Sequence, residues 1–125
     1  MKNLSLCIGL LLPMILVGCV SAPKPLYSWG EYPHQSYLML NGDAKSSSQE
    51  QIGKLEKDIQ KANAKNAALP PGLYGHLGLL HTYNQNNPKA VEYFELEKQA
   101  FPESSVLMNR LIAKLTGQKV EGTEP

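Results

Sequence analysis

An apolar run at the start of the chain does not follow the helical spacing seen further on. A positively charged start, MKN, precedes residues 4–17, LSLCIGLLLPMILV, which carry no charged side chain. A run of this length and position is typical of a secretory signal peptide, and it is short for a membrane span. Pro13 within the run also disfavours a permanent membrane helix. We therefore expect residues 1–18 to be a signal peptide and not part of the fold.

The apolar run ends at Gly18-Cys19 and passes directly into a polar, Pro-containing segment. This junction resembles the lipobox of bacterial lipoproteins, in which a peptidase cuts before a cysteine that carries a diacylglyceryl group. The resemblance implies cleavage between Gly18 and Cys19, and a lipid on Cys19 that anchors the protein to a membrane. Val20 stands where an Asp would signal inner-membrane retention in enteric lipoproteins. The expected location is therefore the outer membrane, facing the periplasm. The alternative is an ordinary signal peptide with a chance cysteine.

Downstream of residue 28, apolar positions recur at helical spacing and no segment alternates convincingly as a strand would. The first two expected helices span about 33–40 and about 48–66, and the second has Ile52, Leu55, Ile59 and Ala62 at helical spacing. A third follows Pro70-Pro71 with Leu73, Leu77 and Leu80, and a fourth runs from Asn87 to Pro102 with Ala90, Val91, Phe94 and Phe101. The last helix runs up to Gly117 and carries Val106, Met108, Leu111, Ile112 and Leu115. The predicted class is all-α, with four to five short helices over residues 29–117. Residues 19–28 form the lipidated tether, and residues 118–125 form a flexible tail.

Several polar residues are typical of helix ends. Ser47 and Glu50 fit a capping box. Asn87 is suited to an N-cap with Pro88 at the first helical position. The charged residues of the helix over about 48–66 are expected on a solvated face.

The segment YSWGEYPHQSYLML concentrates aromatic and apolar side chains within residues 27–40. It could form a shelf for a ligand, or its rings could pack onto the helices that follow. We favour packing, because amphipathic helices follow it directly.

The composition of the chain excludes some classes of function. The 125-residue chain contains 12 basic and 11 acidic residues, and removal of Lys2 with the signal leaves them equal in number. The remaining 107 residues make one domain at most, without a basic tract that would bind nucleic acid. Cys7 leaves with the signal peptide and Cys19 is expected to be lipidated, so no disulfide can form within the mature chain.

The central hairpin has the spacing of a tetratricopeptide repeat. With Pro71 as its first position, the aromatic, Leu, Gly, Ala, Phe and Pro positions of the repeat fall on Tyr74, Leu77, Gly78, Ala90, Phe94 and Pro102. Small residues at 78 and 90 would let two helices approach closely, and Phe94 would fill the space beside them. His81 replaces the usual tyrosine and Glu97 the usual alanine. One such unit cannot bury its faces alone, so residues 33–66 are expected to supply a preceding hairpin and the last helix a cap.

The stretches YSWGEY, PPGLYGHLG, EKQAFPES and LMNRLIAKL, in this order behind a lipobox, resemble a family of small bacterial lipoproteins of unknown function. Genes of that family often lie beside a CsgG-like pore-forming lipoprotein. The resemblance implies an accessory role in an envelope or secretion assembly. It implies no catalytic residues.

The candidate chemistry is sparse. His76 and His81 lie five residues apart, which places them on different helical faces, and no third metal ligand is near in sequence. The acidic residues Glu92, Glu95, Glu97 and Glu103 are expected along a charged helix side. We expect no catalytic site, cofactor, metal or small-molecule substrate.

Binding to a protein partner is the remaining function. Helical repeats contact partners through their first helices, which makes Tyr74, His76, His81 and Tyr83 candidate contact residues, with some of them expected in the core. The leading hypothesis is a lipid-anchored adaptor of an outer-membrane complex. The alternatives are a structural protein that stabilises a partner lipoprotein, and an activator or scaffold for a cell-wall enzyme.

Overall fold

The computed structural model describes residues 23–42 and 47–118, and all regular structure in these ranges is helical. The elements are α1 (Tyr32–Leu40), α2 (Ser48–Ala64), α3 (Leu73–Tyr83), α4 (Asn87–Ala100), a 3₁₀ turn (Pro102–Ser104) and α5 (Ser105–Thr116). The predicted all-α class is confirmed. The predicted signal peptide, Gly18, Cys19 and residues 119–125 of the predicted tail lie outside the described residues.

The helix ends follow the local sequence closely. The Ser47 hydroxyl oxygen accepts a hydrogen bond from the Glu50 N–H at 3.2 Å, as the capping box predicts. α5 ends at Gly117, whose left-handed backbone (φ +71°) favours glycine. The prediction for α4 is wrong by one residue. Asn86, and not Asn87, is the N-cap, and its side-chain oxygen accepts from the Lys89 N–H at 3.3 Å.

The helices pack in chain order, and the contact between α3 and α4 is the most extensive. One core cluster joins α2, α3 and α4 through six buried residues, namely Ile52, Leu55, Leu73, Leu77, Leu80 and Tyr93. A second joins α4 to α5 through Ala90, Phe94 and Met108, with Leu111, Ile112 and Leu115 packed against it. The apolar stripes read from the sequence are therefore mostly the faces that form the core. The exceptions are Val106, which is exposed, and Val91 and Phe101, which are half-buried and lie in neither cluster.

A glycine sets the close approach of α3 and α4. Gly78 lies against the Phe94 ring, and a Cβ atom at this position would lie 2.5 Å from Cδ1 of Phe94. No side chain larger than hydrogen fits there unless the ring moves. Ala90 on the facing helix is fully buried. The two small residues of the predicted hairpin thus occupy the positions where the helices need them.

The aromatic segment packs partly onto the body of the protein. Trp29 stacks on Tyr32 with ring centroids 6.4 Å apart, and Tyr32 in turn meets the edge of His76. Tyr37 and Leu40 remain exposed. Within the described ranges, no helix has the combination of length and hydropathy that a membrane crossing requires.

Candidate functional site

A cleft of about 320 Å³ opens where α2 and α4 end and α3 begins. Three aromatic rings line it, from Tyr27, Tyr74 and Phe101. Its other lining residues are mostly small or apolar, namely Asn63, Ala67, Ala68, Leu69 and Ala100. We call this site the aromatic cleft. It offers flat rings and apolar surface, with the Asn63 amide as a polar contact.

The segment that leads into α1 is held at the edge of the aromatic cleft. The Ser28 N–H donates a hydrogen bond to the Ala68 carbonyl oxygen at 2.7 Å, which joins this segment to the loop between α2 and α3. The Tyr27 ring meets Phe101 edge-on with centroids 6.5 Å apart, and it meets Trp29 in the same way at 6.1 Å. The N-terminal segment therefore forms one wall of the cleft.

A stack of three rings continues from the cleft along α3. The Tyr93 ring lies between Tyr74, at 6.3 Å, and His81, at 5.3 Å. The Tyr93 hydroxyl donates a hydrogen bond to the Glu56 carboxylate at 2.9 Å, across from α4 to α2. Burial raises the pKa of Tyr93, and the bond to Glu56 raises it further. The hydroxyl therefore stays protonated and keeps donating to Glu56 at neutral pH.

Both histidines of α3 are buried, which lowers the pKa of each imidazole below its ordinary value. For His81, Glu56 and Glu92 act in the opposite direction and Lys89 in the same direction, but all three effects are smaller than that of burial. Each imidazole is consequently neutral at neutral pH, and its ring packs against a tyrosine ring, Tyr32 for His76 and Tyr93 for His81.

Glu97 is the least expected residue of this region. Its carboxylate is 2% exposed, and it accepts hydrogen bonds from the N–H groups of Gly72, at 2.7 Å, and Gly75, at 3.1 Å. These groups belong to the first turn of α3, which begins at a glycine without a capping side chain. Glu97 of α4 therefore caps α3 from outside that helix. The prediction that Glu97 lies along a charged helix side with Glu92, Glu95 and Glu103 is wrong, because Glu97 is buried against α3.

Asp58 of α2 caps the start of α1 in the same way. It is 4% exposed and accepts from the Glu31 N–H at 2.6 Å and from the Lys61 ammonium at 3.1 Å. The prediction that the charges of α2 form a solvated face therefore fails at Asp58. One feature of the sequence could have indicated that each helix needs a carboxylate from elsewhere. The N-cap residues of α1 and α3 are Glu31 and Gly72, and neither supplies a side-chain cap to its own helix.

The predicted contact residues separate into two groups. Tyr74 is half-buried in the wall of the aromatic cleft, and Tyr83 is well exposed at the end of α3. His76 and His81 are buried against Tyr32 and Tyr93, in agreement with the expectation that some of the four candidates lie in the core. Tyr27 and Phe101 were not predicted as contact residues, because their contact depends on how the N-terminal segment folds back onto the end of α4.

The six predicted packing residues lie in or beside the hairpin of α3 and α4. Leu77, Gly78, Ala90 and Phe94 are buried between the helices, and Tyr74 is half-buried and stacks on Tyr93 of α4. Pro102 is exposed and begins the 3₁₀ turn, where the chain changes direction after α4.

Comparison with known protein families finds one match, to the domain of unknown function DUF4810 over residues 26–111. The matched stretch includes every residue of the aromatic cleft and covers more than half of the chain. The chain belongs to the DUF4810 family. No curated protein and no solved structure shows significant similarity to it.

The DUF4810 match begins one residue before Tyr27 and ends within α5. It therefore includes the segment that forms the cleft wall together with the helical body. Among the described residues of this family member, no cluster of three or more His, Cys, Asp or Glu side chains is arranged to hold a metal ion.

Proposed function

We propose that the protein is a lipid-anchored adaptor of the bacterial envelope that holds a partner protein in the aromatic cleft. The observation that carries this proposal is the convergence of Tyr27, Tyr74 and Phe101 on one cleft. Tyrosine and phenylalanine are enriched at protein–protein interfaces, because a rigid ring buries a large area at little cost in conformational entropy. A partner side chain in this cleft would contact rings on several sides.

The position of the cleft suits a protein anchored through Cys19. Tyr27 follows Cys19 by eight residues, which can span at most about 29 Å when fully extended. The cleft would thus lie near the leaflet that holds the lipid. A partner embedded in or bound to the same membrane would meet the cleft at high local concentration, so that a modest contact suffices.

The packing of α3 on α4 supports a tetratricopeptide-like hairpin. The small residues Gly78 and Ala90 meet Phe94 as that repeat requires, and Met108 of α5 lies 3.5 Å from where a Cβ of Gly75 would stand. Helical repeats of this kind serve mainly in protein contact. The resemblance to lipoproteins encoded beside a CsgG-like pore lipoprotein makes that neighbour the first partner to test, at the outer membrane facing the periplasm.

Deletion of the gene tests this proposal in cells. We expect the neighbouring pore lipoprotein to lose its oligomeric assembly in outer-membrane extracts. The wild-type gene should restore the assembly, and the Cys19→Ala variant should not. If assembly is unchanged in the deletion strain and binding to a cell-wall hydrolase is found instead, the adaptor proposal is replaced by that of a cell-wall enzyme activator.

A further inference from the structure

Large apolar side chains are exposed mainly in the N-terminal part of the described structure. Leu26, Trp29, Tyr37 and Leu40 account for four of the seven exposed large hydrophobic residues, and their exposed fractions run from 46% to 86%. All four lie within residues 26–40, which comprise the end of the expected tether (residues 19–28) and the segment that follows it. The remaining three lie in α3 and α5.

Helix α1 carries two of these residues on one side. Pro33, Tyr37 and Leu40 are spaced i, i+4 and i+7, so they form a single stripe along the helix. All three are exposed. The residues of the other side, Tyr32 and Gln35, are half-buried and buried respectively. The stripe is about 10 Å long, given a rise of about 1.5 Å per residue.

The same segment is nearly uncharged. Between Leu26 and Gly42, Glu31 is the only residue among Asp, Glu, Lys and Arg, and its backbone N–H donates a hydrogen bond to Asp58. A surface without lysine or arginine is poorly suited to an anionic ligand. It is suited to an apolar one, and its mixture of tryptophan, tyrosine and leucine matches the composition of protein segments at a membrane interface.

The length of the tether determines which apolar surface of the domain can reach the membrane. Leu26 follows Cys19 by seven residues, which span at most about 25 Å when fully extended. A lipid on Cys19 therefore keeps Leu26 and Trp29 permanently close to the leaflet. We propose that Leu26, Trp29, Tyr37 and Leu40 form a membrane-facing surface that lies on the lipid headgroup region and orients the domain. This inference rests on the lipidation of Cys19 in the proposed function.

The chain offers its own probe for this contact, because Trp29 is its single tryptophan. The mature lipidated protein would be reconstituted into phosphatidylethanolamine–phosphatidylglycerol vesicles, with and without lipids brominated in the acyl chains. We expect Trp29 emission to shift to the blue on reconstitution and to be quenched by the brominated lipids.

Paired variants test which residues make the contact. Leu26→Ser combined with Leu40→Ser should weaken the contact. The ratio of anchored molecules whose surface lies on the membrane to those whose surface is free should fall by roughly tenfold or more, because two exposed leucines no longer become buried in lipid. Val106→Ser combined with Leu107→Ser on α5 is the matched control and should leave the quenching unchanged. Thermal melts of both variants check that the fold is intact.

The outcomes separate this inference from the proposed function. Protein that floats with the vesicles while Trp29 stays unquenched overturns the membrane-facing surface and leaves the anchor in place. Protein that neither floats nor carries a lipid overturns both. Cross-linked dimers in detergent that disappear in the Leu26→Ser, Leu40→Ser variant would also overturn the inference, because they assign the surface to a second copy of the chain.

Discussion

The Glu97 carboxylate and the Gly72 N–H, which lie 25 residues apart in the chain, are joined by a partly buried hydrogen bond of 2.7 Å. The second oxygen of the same carboxylate accepts from Gly75. A single side chain of α4 therefore binds two free N–H groups at the start of α3. This contact holds together the two helices that carry Tyr74 and Phe101 at the cleft.

Removal of the carboxylate should destabilise the protein clearly. Glu97→Ala leaves two N–H groups without their acceptor, and we expect a loss of about 2–3 kcal/mol in the free energy of unfolding. Urea denaturation followed by circular dichroism measures it. Glu92→Ala on the same helix is the control, since Glu92 is exposed and pairs only with Lys89 at the surface. Equal stability of the two variants would contradict the capping role of Glu97.

Two glycines in helices should respond to alanine in opposite directions. Gly78→Ala places a Cβ against the Phe94 ring, and we expect a loss of about 1–3 kcal/mol from overpacking. Gly53→Ala meets no atom within 4 Å and should stabilise α2 by about 0.5–1 kcal/mol. Thermal melts of the two variants and of the parent measure these changes in stability. A Gly78→Ala protein that melts at or above the parent temperature means that α3 and α4 do not approach as described.

Acid should weaken the fold through the buried histidines. Burial lowers the pKa of His76 and His81 in the folded state below the ordinary 6.5, so the unfolded chain binds more protons in this range. The stability that the neutral rings contribute is therefore complete above pH 6.5 and is lost as the pH falls through the lower folded values. Melting temperatures measured between neutral and mildly acidic pH should show this loss.

Replacing the histidines identifies the source of the acid effect. A His76→Leu, His81→Phe double variant should have a flatter pH dependence than the parent. His34→Gln, at an exposed position, should keep the parental dependence. Identical pH profiles for the parent and the double variant would show that neither buried ring causes the acid sensitivity.

The lipid anchor predicts a specific mature N-terminus. Mass spectrometry of protein from membranes should find the chain beginning at Cys19 with acyl groups attached. Cys19→Ala should block processing and leave the precursor in the inner membrane. A cleaved, soluble protein with a free thiol on Cys19 would contradict the anchor.

Local signals in the sequence were sufficient to predict the helices. The capping of α2 by Ser47 and the stop at Gly117 depend on neighbouring residues alone, and both agree with the structure. The start of α4 was misplaced by one residue because Asn86 and Asn87 are equally suited to an N-cap. The apolar stripes of α2 and α3 predicted core residues correctly, because helical spacing alone determines which side chains share a face.

The cleft could not be predicted in the same way. Tyr27, Tyr74 and Phe101 come from three separate parts of the chain, and their meeting depends on the Ser28–Ala68 hydrogen bond and on helix packing. Glu97 was placed along a charged helix side with the other acidic residues, and its burial could not be predicted because its hydrogen-bond partners are more than 20 residues away. Its position at the small-residue site of the repeat was the available sign of an unusual environment.

Site-specific photo-cross-linking in living cells tests the central claim most directly. A photoreactive amino acid would replace Phe101, at the mouth of the aromatic cleft, or Arg110, at an exposed position on α5. The adaptor account predicts one discrete cross-linked protein from position 101, absent from position 110 and lost when Cys19→Ala is introduced. No cross-linked protein at position 101, or the same products from both positions, would contradict the account.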